Sequence, residues 1–146
     1  MPIEAPTEEL SKRLQNREWR LDNLYYILNK SGKKVKFSMN LAQKHLFSNL
    51  WYLNVILKAR QLGFSTSIDI FILDYLLFNK NKQAGIIAHT LDDAKYLFES
   101  KIKFPYNNLP GWLKEQIPTE TDSKTELALG NGCGMRVGTW DRDWET

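Results

Sequence analysis

The residues best suited to chemistry form one stretch, Lys58-Ala59-Arg60-Gln61-Leu62-Gly63-Phe64-Ser65-Thr66. Apolar residues 51–57 lead into it, and a second apolar segment starts at its two hydroxyls. A strand that runs through a loop into a helix brings successive backbone N–H groups and a helix N-terminus to one point. That arrangement holds a phosphate. Gly63 permits a backbone approach that a side chain would block. Ser65 falls where a hydroxyl would ligate Mg²⁺. Two cations could offset phosphate charge. Lys58 would reach back with a long stem, and Arg60 would present a planar fork. The spacing departs from the pattern G-x-x-x-x-G-K-S/T. With Gly63 on the second glycine, Phe64 takes the lysine position and Lys58 the first glycine position. The plainer reading of the same residues is a solvated turn followed by a helix cap.

Elements must position that stretch. The apolar spacing of Leu10, Leu14, Trp19, Leu21, Leu24, Tyr25 and Leu28 predicts one long helix over residues 7–29, capped by Thr7 and stopped by Ser31-Gly32. A short strand is expected over 33–37, and Asn40 should open a helix that runs to residue 50. Residues 51–57 read as a buried parallel strand, 65–78 as an apolar helix and 84–88 as a second buried strand. Residues 91–103 read as a helix, with a further short one at 112–116. Residues 125–129 and 135–139 alternate like strands, joined at Gly130-Asn131-Gly132. Strand, loop, helix and strand in succession predict a βαβ unit, hence an α/β fold with a mainly parallel sheet flanked by helices.

Composition excludes several classes. The chain has 146 residues and a net charge of +3, and no run of apolar residues suits a spanning helix. The N-terminal residues are acidic and lack a secretory signal's apolar stretch. One cysteine, Cys133, and two histidines, His45 and His89, argue against a disulfide framework and a Cys- or His-rich metal site. The mildly basic balance tolerates a polyanionic partner without requiring one.

The stretch from Lys58 to Thr66 resembles a degenerate phosphate loop, its lysine shifted to the front, of the large terminase subunits that package DNA in tailed bacteriophages. Flanking segments are similar as well. Phe37-Ser38-Met39-Asn40-Leu41-Ala42-Gln43 resembles that family's adenine-recognition element, in which a glutamine amide supplies both a donor and an acceptor to the purine. Residues 85–94 resemble the second strand and helix of the motor domain, and residues 127–139 its hairpin. The resemblance implies a phosphate-loop NTPase-type sheet that binds ATP and Mg²⁺. Residues 1–32 would be a helical appendage, 33–139 the N-terminal part of the ATPase domain, and 140–146 a divergent tail. It implies nucleotide binding by Gln43 and by Lys58, Ala59, Arg60, Gln61, Leu62, Gly63, Phe64, Ser65 and Thr66. Lys58 and Arg60 would be the catalytic cations and Ser65 the metal ligand. Double-stranded DNA, a small terminase subunit and a portal protein are the implied partners of a homo-oligomeric ring. The implied location is the host cytoplasm, with no membrane.

The family's water-positioning Asp-Glu pair at the end of an apolar strand is missing, as is its nuclease domain. The expectation is therefore an N-terminal fragment, C-terminally incomplete, that turns over little ATP alone. A helicase-like nucleic-acid translocase fragment is one alternative, though Phe64 after Gly63 argues against it. A non-enzymatic module that binds nucleic acid or protein is another, resting on the scattered cations Lys30, Lys33, Lys34, Lys101 and Lys103.

Overall fold

The computed structural model describes residues 7–54 and 64–139. The chain opens with α1 (Glu8–Leu14) and α2 (Arg17–Asn23). Thr7 caps α1 as its position predicts, its hydroxyl accepting from Leu10 N at 3.2 Å. The single helix expected over 7–29 is interrupted at Asn16. The Asn16 side chain accepts from Trp19 N at 3.3 Å and starts a new helix, because a short amide competes with the helical ladder for backbone donors. The end of that expected helix is a strand. β1 (Tyr26–Leu28) pairs antiparallel with β2 (Lys34–Lys36). Ser31-Gly32 turns this hairpin instead of stopping a helix. Asn29 Oδ1 accepts from Ser31 N and Lys33 N, and Gly32 has φ +74°, a conformation glycine adopts freely.

Helix α3 (Leu41–Ser48) begins with a reciprocal cap. Asn40 Oδ1 accepts from Gln43 N, and Gln43 Oε1 accepts from Asn40 N. The buried strand expected next is not found in its described part. Residues 51–54 form a bend closed by Asn54, which donates to Trp51 O and accepts from Trp51 N. Trp51, Tyr52 and Leu53 are 70%, 81% and 68% exposed. Trp51, Tyr52 and Leu53 thus stay at the surface, in a bend whose backbone is closed by a local amide and not by a strand partner. Residues 55–57 lie outside the described residues.

Helix α4 (Phe64–Leu77) occupies the expected span and contributes Ile70, Leu73, Leu76 and Leu77 to the core. β3 (Gln83–Ala88) follows, then α5 (Leu91–Phe98), started by the Thr90 hydroxyl, which accepts from Asp93 N at 3.1 Å. A wide π-helical turn, Glu99–Lys103, joins α5 to α6 (Phe104–Asn107). Pro105 supplies a reason for the widening. It has no N–H for the carbonyl four residues back, and its ring would clash there in a regular α-helix. α7 (Gly111–Gln116) leads to β4 (Thr119–Asp122), β5 (Glu126–Leu129) and β6 (Gly134–Thr139).

The protein is mixed α/β, with a four-stranded sheet in the order β3-β6-β5-β4. The expected mainly parallel sheet is mixed. β3 and β6 pair in parallel, with Ala84 opposite Met135 and Ile86 opposite Val137, whereas β5–β6 and β4–β5 are antiparallel. The short link at residues 130–132 reverses the chain, which forces antiparallel pairing there. One sheet face carries Ile86, Met135, Val137, Leu127 and Leu129 toward the helices. Leu21, Leu24 and Tyr25, from the segment expected to be an appendage, lie in the same hydrophobic core as Leu73, Phe98 and Met135.

Candidate functional site

Sequence places three hydroxyls and an acid on the first turns of α4: Ser65, Thr66, Ser67 and Asp69. Ser65 is exposed, Thr66 half-buried and Asp69 buried. The π turn between α5 and α6 sends two lysines to different elements. Lys101 Nζ donates to Thr66 Oγ1 at 2.9 Å. Lys103 Nζ pairs with Asp122 of β4 at 2.6 Å and with Glu99 at 3.7 Å. Burial pushes the Asp69 carboxyl up to about 7, and the Lys101 ammonium opposes that rise. The start of α4 thus combines exposed hydroxyl, helix N-terminus and a lysine carried in from another element.

Gln43 is also built in. It is only 4% exposed, and its carboxamide oxygen closes the α3 cap. Phe47 of α3 stacks on Phe71 of α4 with ring centroids 5.1 Å apart, and Arg17 of α2 lies 5.1 Å over the same Phe71 ring. These contacts hold the helix of Gln43 against the helix of Ser65 and Thr66. Lys58, Ala59, Arg60, Gln61, Leu62 and Gly63 lie outside the described residues, and Phe64 is the first residue of α4. Among the predicted site residues, the structure therefore places Gln43, Phe64, Ser65 and Thr66.

Lys101 is the residue that sequence reasoning passed over. It read as one member of a solvated charge scatter, 35 positions from Thr66. Pro105, about four turns into the helical segment that starts at Leu91, marks a ladder defect, and that was the available signal.

A second polar cluster fixes α4 at its middle. Asp74, 1% exposed, accepts two bonds from Arg20, Nε and Nη2 each at 2.9 Å, and a third from the Tyr25 hydroxyl. Arg20 also donates to Leu14 O at 2.6 Å and lies 4.2 Å over the Phe78 ring. Burial first, and then the Asp74 charge, push the Tyr25 hydroxyl well above its ordinary pKa, so Tyr25 stays a donor. At the far end of α4, Asn131 Nδ2 donates to Leu76 O at 2.8 Å and Asn79 O at 2.9 Å, while its Oδ1 accepts from Cys133 N.

The outer face of the sheet borders a cavity of about 1400 Å³, floored by Gly85, Gly134, Gly138 and Ala128 and edged by Arg136 and Glu126, which pair at 3.4 Å. His89 lines the same hollow at the end of β3. Among the described residues, no group of three or more His, Cys, Asp or Glu side chains could hold a metal ion, and no helix is long and apolar enough to cross a membrane. No known family model matches the chain.

Proposed function

We propose that this chain is the ATP-binding part of a DNA-packaging motor of the large terminase type, built on a phosphate-loop NTPase-type domain. The observation that carries the reading is the start of α4. An exposed Ser65 and a lysine-bound Thr66 stand at the N-terminus of a helix that directly follows the Lys58–Gly63 segment. The first turn of this 14-residue helix carries the positive end of its dipole, which favours an anionic oxygen. The mixed sheet, with β3 parallel to β6 and the tight turn at Asn131, supports the same reading.

In this reading the amides around Gly63 cradle the phosphates and Lys58 or Arg60 offsets their charge, while Gln43, 4% exposed with its carboxamide oxygen accepting from Asn40 N, braces the start of α3. The donor set suits Mg²⁺. Among the described residues it is the exposed Ser65 hydroxyl with no group of three or more carboxylates, and Mg²⁺ commonly keeps waters and takes its other oxygens from phosphate. When bound, Mg²⁺ would neutralise charge on the phosphates. Coupling to double-stranded DNA translocation, and assembly with a small terminase subunit, a portal and further copies of the chain, belong to the same proposal.

The test is a titration of the 146-residue chain with a fluorescent ATP analogue, with and without Mg²⁺. Saturable binding that needs Mg²⁺ and weakens in Ser65→Ala supports the reading. Absence of binding at millimolar nucleotide refutes it.

A further inference from the structure

The two edges of the four-stranded sheet are unequal. β4 is short, carries Glu120 and Asp122, and shifts register against β5 between Thr119 and Thr121. Charge and a bulge are common means of keeping a strand edge from pairing. β3, at the other edge, has neither. Its six residues, Gln83-Ala84-Gly85-Ile86-Ile87-Ala88, carry no charge and no proline and run beside β6 without a shift. Gly134 N donates to Lys82 O, and parallel pairing engages alternate residues of a strand, so Ala84, Ile86 and Ala88 direct their backbone groups to β6. Those of Gln83, Gly85 and Ile87 point away from it, and among the described residues no strand pairs with them. All three of these residues are exposed, Ile87 by 41%.

We propose that β3 is a docking edge for a second copy of this chain, which adds its own β3 antiparallel across a two-fold axis at Gly85. Three features favour that occupant. In this register Gly85 faces its own symmetry mate, and Gln83 faces Ile87 of the second copy. Three residues on each copy, with one donor and one acceptor apiece, then close six hydrogen bonds. On the core face, Ala84 lies beside Ile86 of the second copy, so the apolar layer under the helices continues from one sheet into the next. The two ends of the strand are also oppositely charged. Lys80 and Lys82 precede β3, and Asp92 and Asp93 occupy the first turn of α5 just beyond it. All four are exposed, and none has an ion pair among the described residues. Antiparallel pairing sets the lysine end of one copy against the aspartate end of the other, twice by symmetry. Because β4 is guarded, the assembly closes at two copies instead of growing into a fibre. The inference stands independently of nucleotide binding.

Sedimentation velocity of the 146-residue chain over about 1–300 µM measures the association, and amide hydrogen exchange at the two extremes locates it. The expected result is a reversible monomer–dimer equilibrium, with the Gly85 and Ile87 amides exchanging more slowly at the high concentration. Gly85 can carry the first probe, since an added Cβ meets only Arg136 O, at 3.7 Å, within its own copy. Gly85→Lys puts two like charges face to face at the axis and should weaken dimerisation roughly fivefold or more. Ile87→Pro removes one outward donor per copy, hence two hydrogen bonds per dimer, and should weaken it roughly thirtyfold. The third probe is a charge exchange. Lys80→Glu and Asp92→Lys should each dimerise poorly alone. An equimolar mixture of the two should form heterodimers of near wild-type affinity, because both end contacts are again oppositely charged. Thermal melts are the folding control, and the charge exchange decides if either strand variant does not fold. A monomer at every concentration, a dimer that Gly85→Lys and Ile87→Pro leave intact, or a mixture no tighter than its components would overturn the inference.

Discussion

Removing the Asp74 carboxylate should be among the most damaging single changes available to this fold. Asp74→Ala takes three hydrogen bonds from the centre of α4: two from the Arg20 guanidinium and one from the Tyr25 hydroxyl. The Arg20 side chain is 11% exposed, so its charge cannot be rehydrated in place. Among the described residues it keeps the Leu14 carbonyl and the Phe78 ring. Breaking a buried pair from one side costs about 3–5 kcal/mol, mostly through the stranded partner. For a chain of this length, 1 kcal/mol moves the melting temperature by about 2–4 °C, so a drop of roughly 10 °C is expected. Urea unfolding followed by far-UV circular dichroism measures it, with the m-value checked for constancy. A paired control tests the mechanism. Arg20→Met/Asp74→Leu removes both charges and should recover much of the loss, because an apolar replacement leaves no unpaired ion. If Asp74→Ala costs less than about 1 kcal/mol, or the double variant is less stable than the single one, the stranded-charge reasoning is refuted.

Two further predictions follow from named groups. Asp69 holds its proton to about pH 7 in the folded state and only to the ordinary carboxylate range when unfolded. Between roughly pH 4 and 7 the folded state therefore binds more protons, and stability should fall as pH rises through that window. Asp69→Asn should flatten that fall and leave the protein more stable at pH 7.5, as urea midpoints at pH 4.5 and 7.5 would show. Asn131→Ala should cost about 2 kcal/mol by uncapping the end of α4, read from the same denaturation curves.

Legibility followed the range of the interaction that decides each element. The starts of α1, α3 and α5 were readable because Thr7, Asn40 and Thr90 act on donors three residues away. The hairpin at Asn131-Gly132 was readable for the same reason. Asn16 is equally local, but the continuous apolar spacing on either side concealed its cap. β4 is a short polar Thr-Glu-Thr-Asp segment, and its identity as a strand comes from pairing with nearby β5 and not from any apolar alternation of its own. Trp51, Tyr52 and Leu53 misled because hydrophobicity alone does not say whether a partner is near. At the site, the Ser65–Thr66 helix start was legible. Lys101 was not, since a defect in a helical ladder and a side-chain contact across 35 residues decide its place.

The fastening of α4 determines how that helix can respond to load. Lys101 grips it at Thr66, Arg20 at Asp74 and Asn131 at its terminal carbonyls. Thr66 and Asp74 are about 12 Å apart along the axis and about 80° apart around it, given the helical rise and turn. Attachments at different heights and azimuths oppose rolling as well as sliding. A pull applied at the hydroxyl end therefore meets the resistance of the N-terminal helices and the distal hairpin together, and the rod moves with its mounts or not at all.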